Sequence, residues 1–388
     1  MRSVRDIPSF ENIPILVRAS LNEPIANGIV ADTFRLTRTA PTLRFLAEQG
    51  ARVVVISHIG ELGTETLAPV AKALGELVRG VSFCPYTVGS EARAAVRGMT
   101  PSSILVMENL RRNAGEKKND PAFAKALAEL GDAFVEDSFD TCHRAHASIV
   151  GVPELLPSYA GLQLEAEVAA LTDAKKPKHP AFAVVGGAKF GTKEAVLEAL
   201  LPTYDRVFVG GALANDFIQA LGQEVGQSLT SGVVDPTLVK LAHHPKLLLP
   251  LDSVVVKKAA LGTPDAKRHA RVAKRGDVRP DEVILDHGPE TVALLAAHAH
   301  DAETVLWNGP LGNYENGFVD ATDAFARAVA SSGAHSIVGG GDTITAIQKL
   351  GVLDKFSFVS TGGGAMLDFL AKGTLPGIAA LDKAPNGA

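Results

Sequence analysis

Cysteine is almost missing from this chain of 388 residues, which contains only Cys84 and Cys142. Two cysteines cannot build a disulfide framework, so the chain is not a small disulfide-stabilised domain. No uninterrupted apolar run approaches the roughly 20 residues that a membrane-spanning helix requires. The first residues, Met1 to Ile7, lack the apolar core of a signal peptide. These absences lead us to expect a cytoplasmic protein that does not act in a membrane.

A strong excess of charge of either sign is also missing. The formal net charge is −5, from 38 Lys and Arg against 43 Asp and Glu. Such a balance gives no reason to expect nucleic acid or an anionic membrane as the main partner. Arg dominates residues 1–160, however, and Lys dominates residues 161–388. Because Arg forms planar bidentate contacts and Lys is a point charge, we expect the two halves to have different tasks.

Several catalytic patterns are absent as well. The chain has no Gly-x-x-x-x-Gly-Lys-Ser/Thr segment, so it is not a P-loop protein. No Ser-His-Asp group stands out, and His58 and Cys142 offer only a weak case as nucleophiles. His143 and His146 lie three residues apart, but neither a third ligand cluster nor a cysteine pair accompanies them. A zinc site is therefore not predicted.

What the chain does contain is a regular succession of short apolar runs, each followed by a turn and a helix-like segment. Continuous apolar strands that alternate with helices predict a parallel sheet covered on both faces. A chain of 388 residues exceeds one core, so we expect an α/β protein with two doubly wound parallel-sheet domains. Strands are predicted at Ile15–Arg18, Val53–Ser57, Ile104–Met107, Ala133–Val135, Phe182–Val185, Val207–Val209, Val283–Leu285, Thr304–Trp307, Ser336–Val338 and Phe358–Ser360.

The domain boundary is expected near Ala160–Asp173, where a helix-forming segment is stopped by Pro177 and Pro180. We predict an N-terminal domain over residues 1–160, a hinge helix over 161–173 and a second domain over 174–375. Residues 376–388 are expected to form a tail that packs back on the N-terminal domain. The basic segment Lys257–Arg279 is interpreted as a solvated insertion, with a binding patch as the alternative.

The most informative stretch is Val338–Thr343, in which a predicted strand turns through three glycines into the start of a helix. Free backbone N–H groups at the positive end of a helix form a ready phosphate site. Asp342 there either caps the helix or, beside a phosphate, holds a magnesium ion. The segment alone leaves a capped turn and a phosphate site equally open. Similar turns favour the second: Gly186–Gly187, Gly210–Gly211, Asn308–Pro310 and Thr361–Gly364.

Ligands of open α/β sheets bind beyond the carboxyl ends of the strands. Strand ends in the first half carry Arg18, Asn22, His58, Arg111, Arg144 and His146, whereas those in the second half carry glycines together with Lys189 and Lys193. Two lysines at this spacing share a helix face. The pattern favours phosphoryl transfer between a nucleotide on the second half and an anionic small molecule on the first. We expect two lobes that close over a cleft and exclude water.

Taken in order, these residues resemble the phosphoglycerate kinase family from about Val17 to Leu381. The segments that carry the resemblance are Trp307–Glu315, His143–Ser148, Val338–Thr343, Gly186–Lys189 and Ser360–Ala365. The resemblance implies a phosphoglycerate kinase-like fold and a reversible reaction in glycolysis and gluconeogenesis, in which 1,3-bisphosphoglycerate and ADP give 3-phosphoglycerate and ATP. It also implies magnesium bound with the nucleotide (ATP or ADP) and a monomeric enzyme.

The resemblance assigns roles to individual positions. Glu315 looks like the carboxylate that holds the ribose, Lys193 like the lysine on the nucleotide phosphates, and Asp342 like the residue that orients the metal–nucleotide complex. Other nucleotide-site positions are Gly210, Gly211, Asn308, Gly340, Gly341 and Thr343. Arg35 and Lys189, with the amides of Gly362, Gly363 and Gly364, look like the groups that steady the moving phosphoryl group. The implied 3-phosphoglycerate site comprises Arg18, Ser20, Asn22, Arg35, His58, Arg111, Arg144 and His146.

The sequence departs from the family pattern mainly in this acceptor site. Ser20 stands where the family usually has Asp, and Glu61 stands where it usually has Arg. Arg112 replaces an expected aromatic residue and is a candidate to restore the lost charge. Milder departures are Ser138, Asp140, Gly191–Thr192 and Glu290. Two alternatives stay open: an acyl-phosphate kinase of the same fold with another carboxylate acceptor, and a nucleotide-binding relative without activity.

Overall fold

The structure is a computed structural model that describes residues 1–187, 190–232, 235–263 and 265–385. The chain forms two compact units, the first comprising Met1–Ala169 and Thr374–Ala388 and the second Ala170–Gly373. Each unit contains its own six-stranded sheet, in which every pairing is parallel. The predicted α/β architecture with two parallel sheets is therefore confirmed. Among the described residues, no helix combines the length and apolar composition needed to cross a membrane.

The sheet of the first unit has the strand order β5-β6-β4-β1-β7-β8. Its strands are β1 (Pro14–Arg18), β4 (Arg52–Ile56), β5 (Val81–Cys84), β6 (Ile104–Met107), β7 (Ala133–Glu136) and β8 (Ser158–Ala160), and a small hairpin is formed by β2 (Ile25–Ala26) and β3 (Ile29–Val30). The helices are α1 (Phe34–Glu48), α2 (Ala68–Leu77), α3 (Ser90–Arg97), α4 (Pro121–Ala128), α5 (Leu162–Ala174) and α13 (Pro376–Lys383). The division between the units falls within α5.

The sheet of the second unit has the order β11-β10-β9-β15-β16-β17. Its strands are β9 (Ala181–Val185), β10 (Arg206–Val209), β11 (Leu247–Leu248), β15 (Thr304–Asn308), β16 (His335–Gly339) and β17 (Phe358–Val359). The helices are α6 (Glu194–Thr203), α7 (Leu213–Ala220), α8 (Pro236–Ala242), α9 (Pro289–Asp301), α10 (Asp320–Ser332), α11 (Gly341–Lys349) and α12 (Gly363–Lys372). An antiparallel sheet of order β13-β12-β14 joins β12 (Asp252–Lys257), β13 (Arg271–Lys274) and β14 (Glu282–His287).

Local sequence explains where these elements form. The central strands β6, β9 and β15 are buried at every position, which is the pattern of a sheet covered on both faces. Helix α4 begins at an Asp-Pro pair: the side chain of Asp120 accepts hydrogen bonds from the backbone N–H groups of Ala122 and Phe123, at 2.8 and 3.0 Å. Proline in the first turn loses no intrahelical hydrogen bond, so this pair is a good start signal.

One predicted strand was assigned to the wrong kind of sheet. Val283–Leu285 belongs to β14, which pairs with β12 in the antiparallel sheet rather than in either parallel one. A short apolar run shows that a strand is buried but does not reveal the direction of its partner. In the parallel sheets, strands β5, β8 and β11 were not predicted, and β5 has only one buried residue, Cys84; the antiparallel strands β2, β3, β12 and β13 were not predicted either.

The basic segment Lys257–Arg279 is more ordered than a solvated insertion. Strand β13 lies within it, and Ala266 and Ala273 are buried. Most of its cations have acidic partners: Lys257 lies 3.3 Å from Asp281, Lys267 3.1 Å from Asp320, Arg268 3.0 Å from Asp265 and Arg271 2.6 Å from Glu282, and Lys274 pairs with Glu290. Neutralised cations make a poor anion-binding surface, so these five side chains do not support the alternative of a binding patch.

The single tryptophan reports on the core of the second unit. Trp307 in β15 is fully buried and packs edge to face on Phe325 of α10, with ring centroids 4.9 Å apart. Phe325→Ala removes a large buried side chain, so we expect it to lower the free energy of unfolding by about 3–5 kcal/mol. Urea unfolding followed by Trp307 fluorescence measures this change. The control Val272→Ala, at a side chain that is half exposed, should change it by less than about 1 kcal/mol; equal effects would contradict this packing.

Candidate functional site

Basic side chains gather at the carboxyl edge of the first unit's sheet. Arg18 is the last residue of β1, and the other four members follow the neighbouring strands β4, β6 and β7. Because the carboxyl ends of parallel strands meet at one edge, residues far apart in sequence are brought together there. We call this set the basic cluster: Arg18, His58, Arg111, Arg144 and His146.

Arg18 is the most firmly held member of the basic cluster. Its side chain is 1% exposed. The guanidinium donates to the carbonyl of Ala19 at 2.6 Å and to the hydroxyl groups of Ser57 and Ser148 at 3.3 and 3.2 Å, and Nη2 lies 2.8 Å from Nδ1 of His58. These contacts fix the orientation of the Arg18 guanidinium, so its side chain loses little conformational entropy when an anion binds.

The two histidines of the cluster are neutral at pH 7. Burial lowers the pKa of His58 well below its usual value, and the charges of Arg18, Arg111 and Arg144 lower it further. Burial and then Arg144, Arg18 and Arg111 lower the pKa of His146 to about 4. The contact of 3.8 Å between His146 Nδ1 and Glu116 is therefore not an ion pair at that pH. Mutual repulsion of this kind marks a site that gains from a bound anion.

Asn22 and Arg35, two further acceptor-site residues, connect to the cluster through Gly60. The amide oxygen of Asn22 accepts from the backbone N–H of Gly60 at 2.9 Å, and the carbonyl of Gly60 accepts from Arg111. Arg35, near the start of α1, donates from Nη1 to the carbonyl of Asn22 at 2.8 Å. The hydroxyl of Ser20 is buried and has no hydrogen-bond partner within the described ranges. A bound ligand could supply the hydrogen-bond partner that this buried hydroxyl lacks.

Two buried carboxylates of this site were missed by the sequence reasoning. Glu23 is 3% exposed and accepts from the backbone N–H of Arg35 at 2.5 Å, while its other oxygen lies 3.3 Å from Nη1 of that arginine. Glu116 is 1% exposed and accepts from the hydroxyl and backbone N–H of Ser148, at 2.6 and 3.1 Å. Ser148 in turn contacts Arg18. The sequence around Glu23 and Glu116 does not predict their burial, because each lies in a loop that is covered by segments distant in sequence.

Arg112 does not compensate for Glu61 as the sequence suggested. Its guanidinium lies 3.2 Å from the carboxylate of Glu108 and is partly exposed. Glu108 also accepts from Thr66 and from the backbone N–H groups of Leu67 and Asn109, so it is a structural hub of the surrounding loops. The charge of Arg112 is thus used in this ion pair.

Glycine turns meet at the carboxyl edge of the second unit's sheet. A Cβ atom on Gly309 would lie 2.7 Å from the carbonyl carbon of Gly186, one on Gly340 would lie 3.3 Å from the backbone nitrogen of Gly309, and one on Gly363 would lie 3.2 Å from Cα of Gly340. Gly340 also has φ of +103°, which disfavours any other residue. This backbone packing brings together the turns that precede α11 and α12.

Several predicted nucleotide-site residues line or support this arrangement. Asn308, the last residue of β15, donates from its side chain to the carbonyl of Gly363 at 3.2 Å. Gly362 is the N-cap of α12, and Gly341 is the first residue of α11. Thr343 is buried, and its hydroxyl has no hydrogen-bond partner among the residues described. The starts of α11 and α12 leave free backbone N–H groups beside the glycine turns, an arrangement that suits a phosphate.

A cavity of about 450 Å³ opens beside these turns. Residues from several turns and strands line it, among them Gly187, Gly211, Leu311, Tyr314, Glu315 and Asp342. Glu315 is exposed in the short turn Tyr314–Asn316, and Asp342 is exposed in the first turn of α11. Gly210 lies behind this wall, where a Cβ atom would come within 2.8 Å of Leu311. The volume and the mixed apolar and polar lining suit a small organic ligand.

Of the two lysines predicted for this site, Lys193 is described and Lys189 lies outside the described residues. The half-buried side chain of Lys193 passes over Gly187, where a Cβ atom would lie 3.2 Å from its Cε atom. Burial lowers the pKa of Lys193, and the charge of Asp368 acts in the opposite direction. Lys193 therefore brings a partly desolvated cation next to the glycine turns.

A magnesium ion would have to share its ligands between the protein and the nucleotide. Within the described ranges, no group of three or more His, Cys, Asp or Glu residues is arranged to hold a metal. Asp342 is a single exposed carboxylate at a helix start beside the cavity. Mg²⁺ commonly uses one or two carboxylates together with substrate phosphates, so this donor set fits a magnesium–nucleotide complex.

Comparisons with known proteins agree on one family. A family model described as Phosphoglycerate kinase matches residues 4–373. Proteins named phosphoglycerate kinase from Xanthobacter flavus and a strain of Thermus thermophilus are 41% and 42% identical, covering 98% and 95% of this chain and 98% and 96% of their own. Structures of phosphoglycerate kinase from Coxiella burnetii and Pyrococcus horikoshii match with TM-scores of 0.80 and 0.87, at 38% and 30% identity, each covering 98% of both chains.

Glu23 should make stability depend on pH. Burial raises the pKa of this carboxyl to about 7, although the charge of Arg35 opposes the shift. A raised folded-state pKa gives stability that is fully present below the unfolded value of 4.5 and lost as the pH rises to about 7. Between pH 5 and pH 8 the wild type should therefore lose about 2 kcal/mol more of its free energy of unfolding than Glu23→Gln.

Urea unfolding followed by circular dichroism at both pH values measures that difference. Glu129→Gln is the matched control, because Glu129 is a partly exposed carboxylate that pairs with Arg93. The free energy of unfolding of Glu129→Gln should change between pH 5 and pH 8 by the same amount as that of the wild type. If Glu23→Gln has the same pH dependence as the wild type, Glu23 is not a buried group of raised pKa.

Proposed function

The chain belongs to the phosphoglycerate kinase family, and we propose that it reversibly transfers the acyl phosphate of 1,3-bisphosphoglycerate to ADP, giving 3-phosphoglycerate and ATP. The observation that carries this proposal is that one chain holds both required sites. One is a buried cationic cluster that suits a small anion, and the other is a set of helix starts and glycine turns beside a ligand-sized cavity. Both sites are built from residues of a single chain, so a monomer is our proposed working form, and we keep the cytoplasm as its proposed location.

The basic cluster suits the acceptor because 3-phosphoglycerate presents a carboxylate, a hydroxyl and a phosphate. Guanidinium groups of Arg18, Arg111 and Arg144 bind such oxygens with paired hydrogen bonds. His58 and His146 are neutral in the free protein and become better donors when an anion raises their pKa. The unsatisfied hydroxyl of Ser20 is the proposed partner of the substrate hydroxyl.

The second unit suits the nucleotide. We assign the phosphates to the N–H groups at the starts of α11 and α12 and to Lys193, and the ribose to Glu315 at the wall of the cavity. Gly210, Gly211, Asn308 and Thr343 shape this site. Asp342 would hold a magnesium ion together with the phosphates, and that ion would supply charge neutralisation between them.

The reaction requires positioning and charge stabilisation but no general base. In the direction of ATP use, a carboxylate oxygen of 3-phosphoglycerate attacks the γ-phosphorus. The bond from that phosphorus to the bridging oxygen of ADP breaks, and no proton is transferred. Arg35 and Lys189, with the amides of Gly362 and Gly363, are the proposed groups that stabilise the charge on the phosphoryl group in flight.

A coupled assay with ATP, magnesium and 3-phosphoglycerate tests the proposal directly. We expect turnover that depends on all three components. Turnover with another carboxylate instead would point to an acyl-phosphate kinase of different specificity. Nucleotide binding without turnover on any carboxylate would point to a relative that has lost the activity.

Asp342→Asn tests the nucleotide assignment. Loss of the carboxylate should raise the magnesium concentration needed for half-maximal rate and lower kcat/KM for ATP by about tenfold or more, because one charged ligand is removed. KM for 3-phosphoglycerate should change little. Asp354→Asn, at an exposed carboxylate paired with Lys355, is the control and should behave as the wild type. An unchanged magnesium dependence in Asp342→Asn would contradict the assignment.

A further inference from the structure

Glu61 is an acidic residue at the basic cluster. Its Oε1 lies 3.1 Å from Nη1 of Arg111, and its Oε2 lies 3.6 Å from Nζ of Lys117. Its backbone carbonyl accepts a hydrogen bond from that same lysine at 2.7 Å. The side chain of Arg111 is only 2% exposed, whereas that of Glu61 is 71% exposed. A solvent-exposed carboxylate therefore reaches a buried guanidinium from outside.

The charge of Glu61 is held by the cations that an anionic ligand would use. Burial acts to raise its pKa, but the hydrogen bond and charge of Arg111, followed by the charges of Arg144 and Lys117, outweigh this and lower the pKa. Glu61 is thus ionised at neutral pH. Arg111 and Arg144 are also among the charges that lower the pKa of His58 and His146. The positive charges of Arg111 and Arg144 therefore act on the carboxylate of Glu61 and on both histidines.

The contact between Glu61 and Arg111 is easily exchanged. The backbone of Glu61 is anchored by Lys117, but the exposed carboxylate is joined to it by freely rotating bonds. Arg111 keeps a second partner, the carbonyl of Gly60, when the carboxylate leaves. The carboxylate end of this pair is open to solvent and salt, which screen its attraction to Arg111. The pair is therefore strong enough to compete with a ligand, and weak enough to be displaced by one.

We propose that Glu61 sets the affinity and selectivity of the acceptor site by occupying Arg111 until an anionic ligand displaces it. The acceptor's identity rests on the proposed function, but the displacement itself applies to any small oxyanion. Glu61 lowers affinity both by competing for Arg111 and by repelling the incoming charge. A free phosphate ion, which gains few other contacts, is rejected more effectively than a larger acceptor that also binds Arg18 and the histidines.

Glu61→Gln is the decisive variant. Glutamine keeps the length of the side chain and an oxygen that can accept from Arg111, so it removes the charge with little change in shape. We expect KM for 3-phosphoglycerate to fall by about three- to tenfold, with kcat and KM for ATP within about twofold of the wild type. The dissociation constant for inorganic phosphate, measured by calorimetry without nucleotide, should fall by at least as much.

Glu129→Gln is the matched control. It also removes one negative charge and one contact with an arginine, Arg93, but Glu129 lies just before β7, away from the carboxyl edge of the sheet. Glu129→Gln should leave KM for 3-phosphoglycerate and the dissociation constant for inorganic phosphate unchanged. Added salt screens the charge of Glu61, so it should reduce the difference in phosphate affinity between Glu61→Gln and the wild type.

Three results would overturn the proposal. They are an unchanged or weaker phosphate affinity in Glu61→Gln, an equal gain in Glu129→Gln, or a change confined to kcat. Thermal unfolding of each variant shows whether a loss of affinity reflects a loss of folding, and Glu61→Ala, which gives up the oxygen as well as the charge, provides a second removal of the charge. The calorimetric arm requires no catalysis. If the wild type fails to phosphorylate 3-phosphoglycerate, the proposed function is lost while the displacement of Glu61 is still tested.

Discussion

Close approach of glycine backbones is the constraint on which the nucleotide side of this protein depends. The turns at Gly186, Gly309, Gly340 and Gly363 touch one another in series, and Cβ atoms at the last three would come within 2.7 to 3.3 Å of a neighbouring backbone. Glycine has no side chain, so the segments that follow strands β9, β15, β16 and β17 can lie in direct backbone contact with one another. The starts of α11 and α12 then present N–H groups together. The cavity and the position of Asp342 follow from this packing.

The acceptor side is organised by a different constraint, the cost of holding several cations together under partial burial. Arg18 is fixed by hydroxyl and carbonyl oxygens rather than by a direct acidic partner. His58 and His146 reduce the repulsion by staying neutral. Acidic side chains offset the remaining positive charge: Glu116 through Ser148 and Glu61 at Arg111, with Glu23 at Arg35 only partly ionised near neutral pH because burial raises its pKa to about 7. The site therefore contains its own exchangeable counter-charge, and its affinity for an anion is adjustable at a single exposed position.

The fold could largely be predicted from the sequence because buried parallel strands have continuous apolar runs. The prediction failed where that signal is weak or ambiguous. Strand β5 lies at the sheet edge and has only one buried residue, and β14 has an apolar run whose antiparallel partner only the tertiary structure decides. The basic residues at the strand ends were predictable, since parallel topology places such ends together. Glu23, Glu116 and the orientation of Arg112 were not, because they depend on how loops distant in sequence cover one another.

Trapping with hydroxylamine shows whether this chain makes an acyl phosphate on 3-phosphoglycerate at the expense of ATP, because an acyl phosphate reacts with hydroxylamine to give a stable hydroxamate. We expect a hydroxamate of 3-phosphoglycerate, formed together with ADP in equal amounts, and only when ATP and magnesium are both present. ATP consumption without this hydroxamate, or hydroxamate formation only from a different carboxylate, would mean that the chain does not phosphorylate 3-phosphoglycerate.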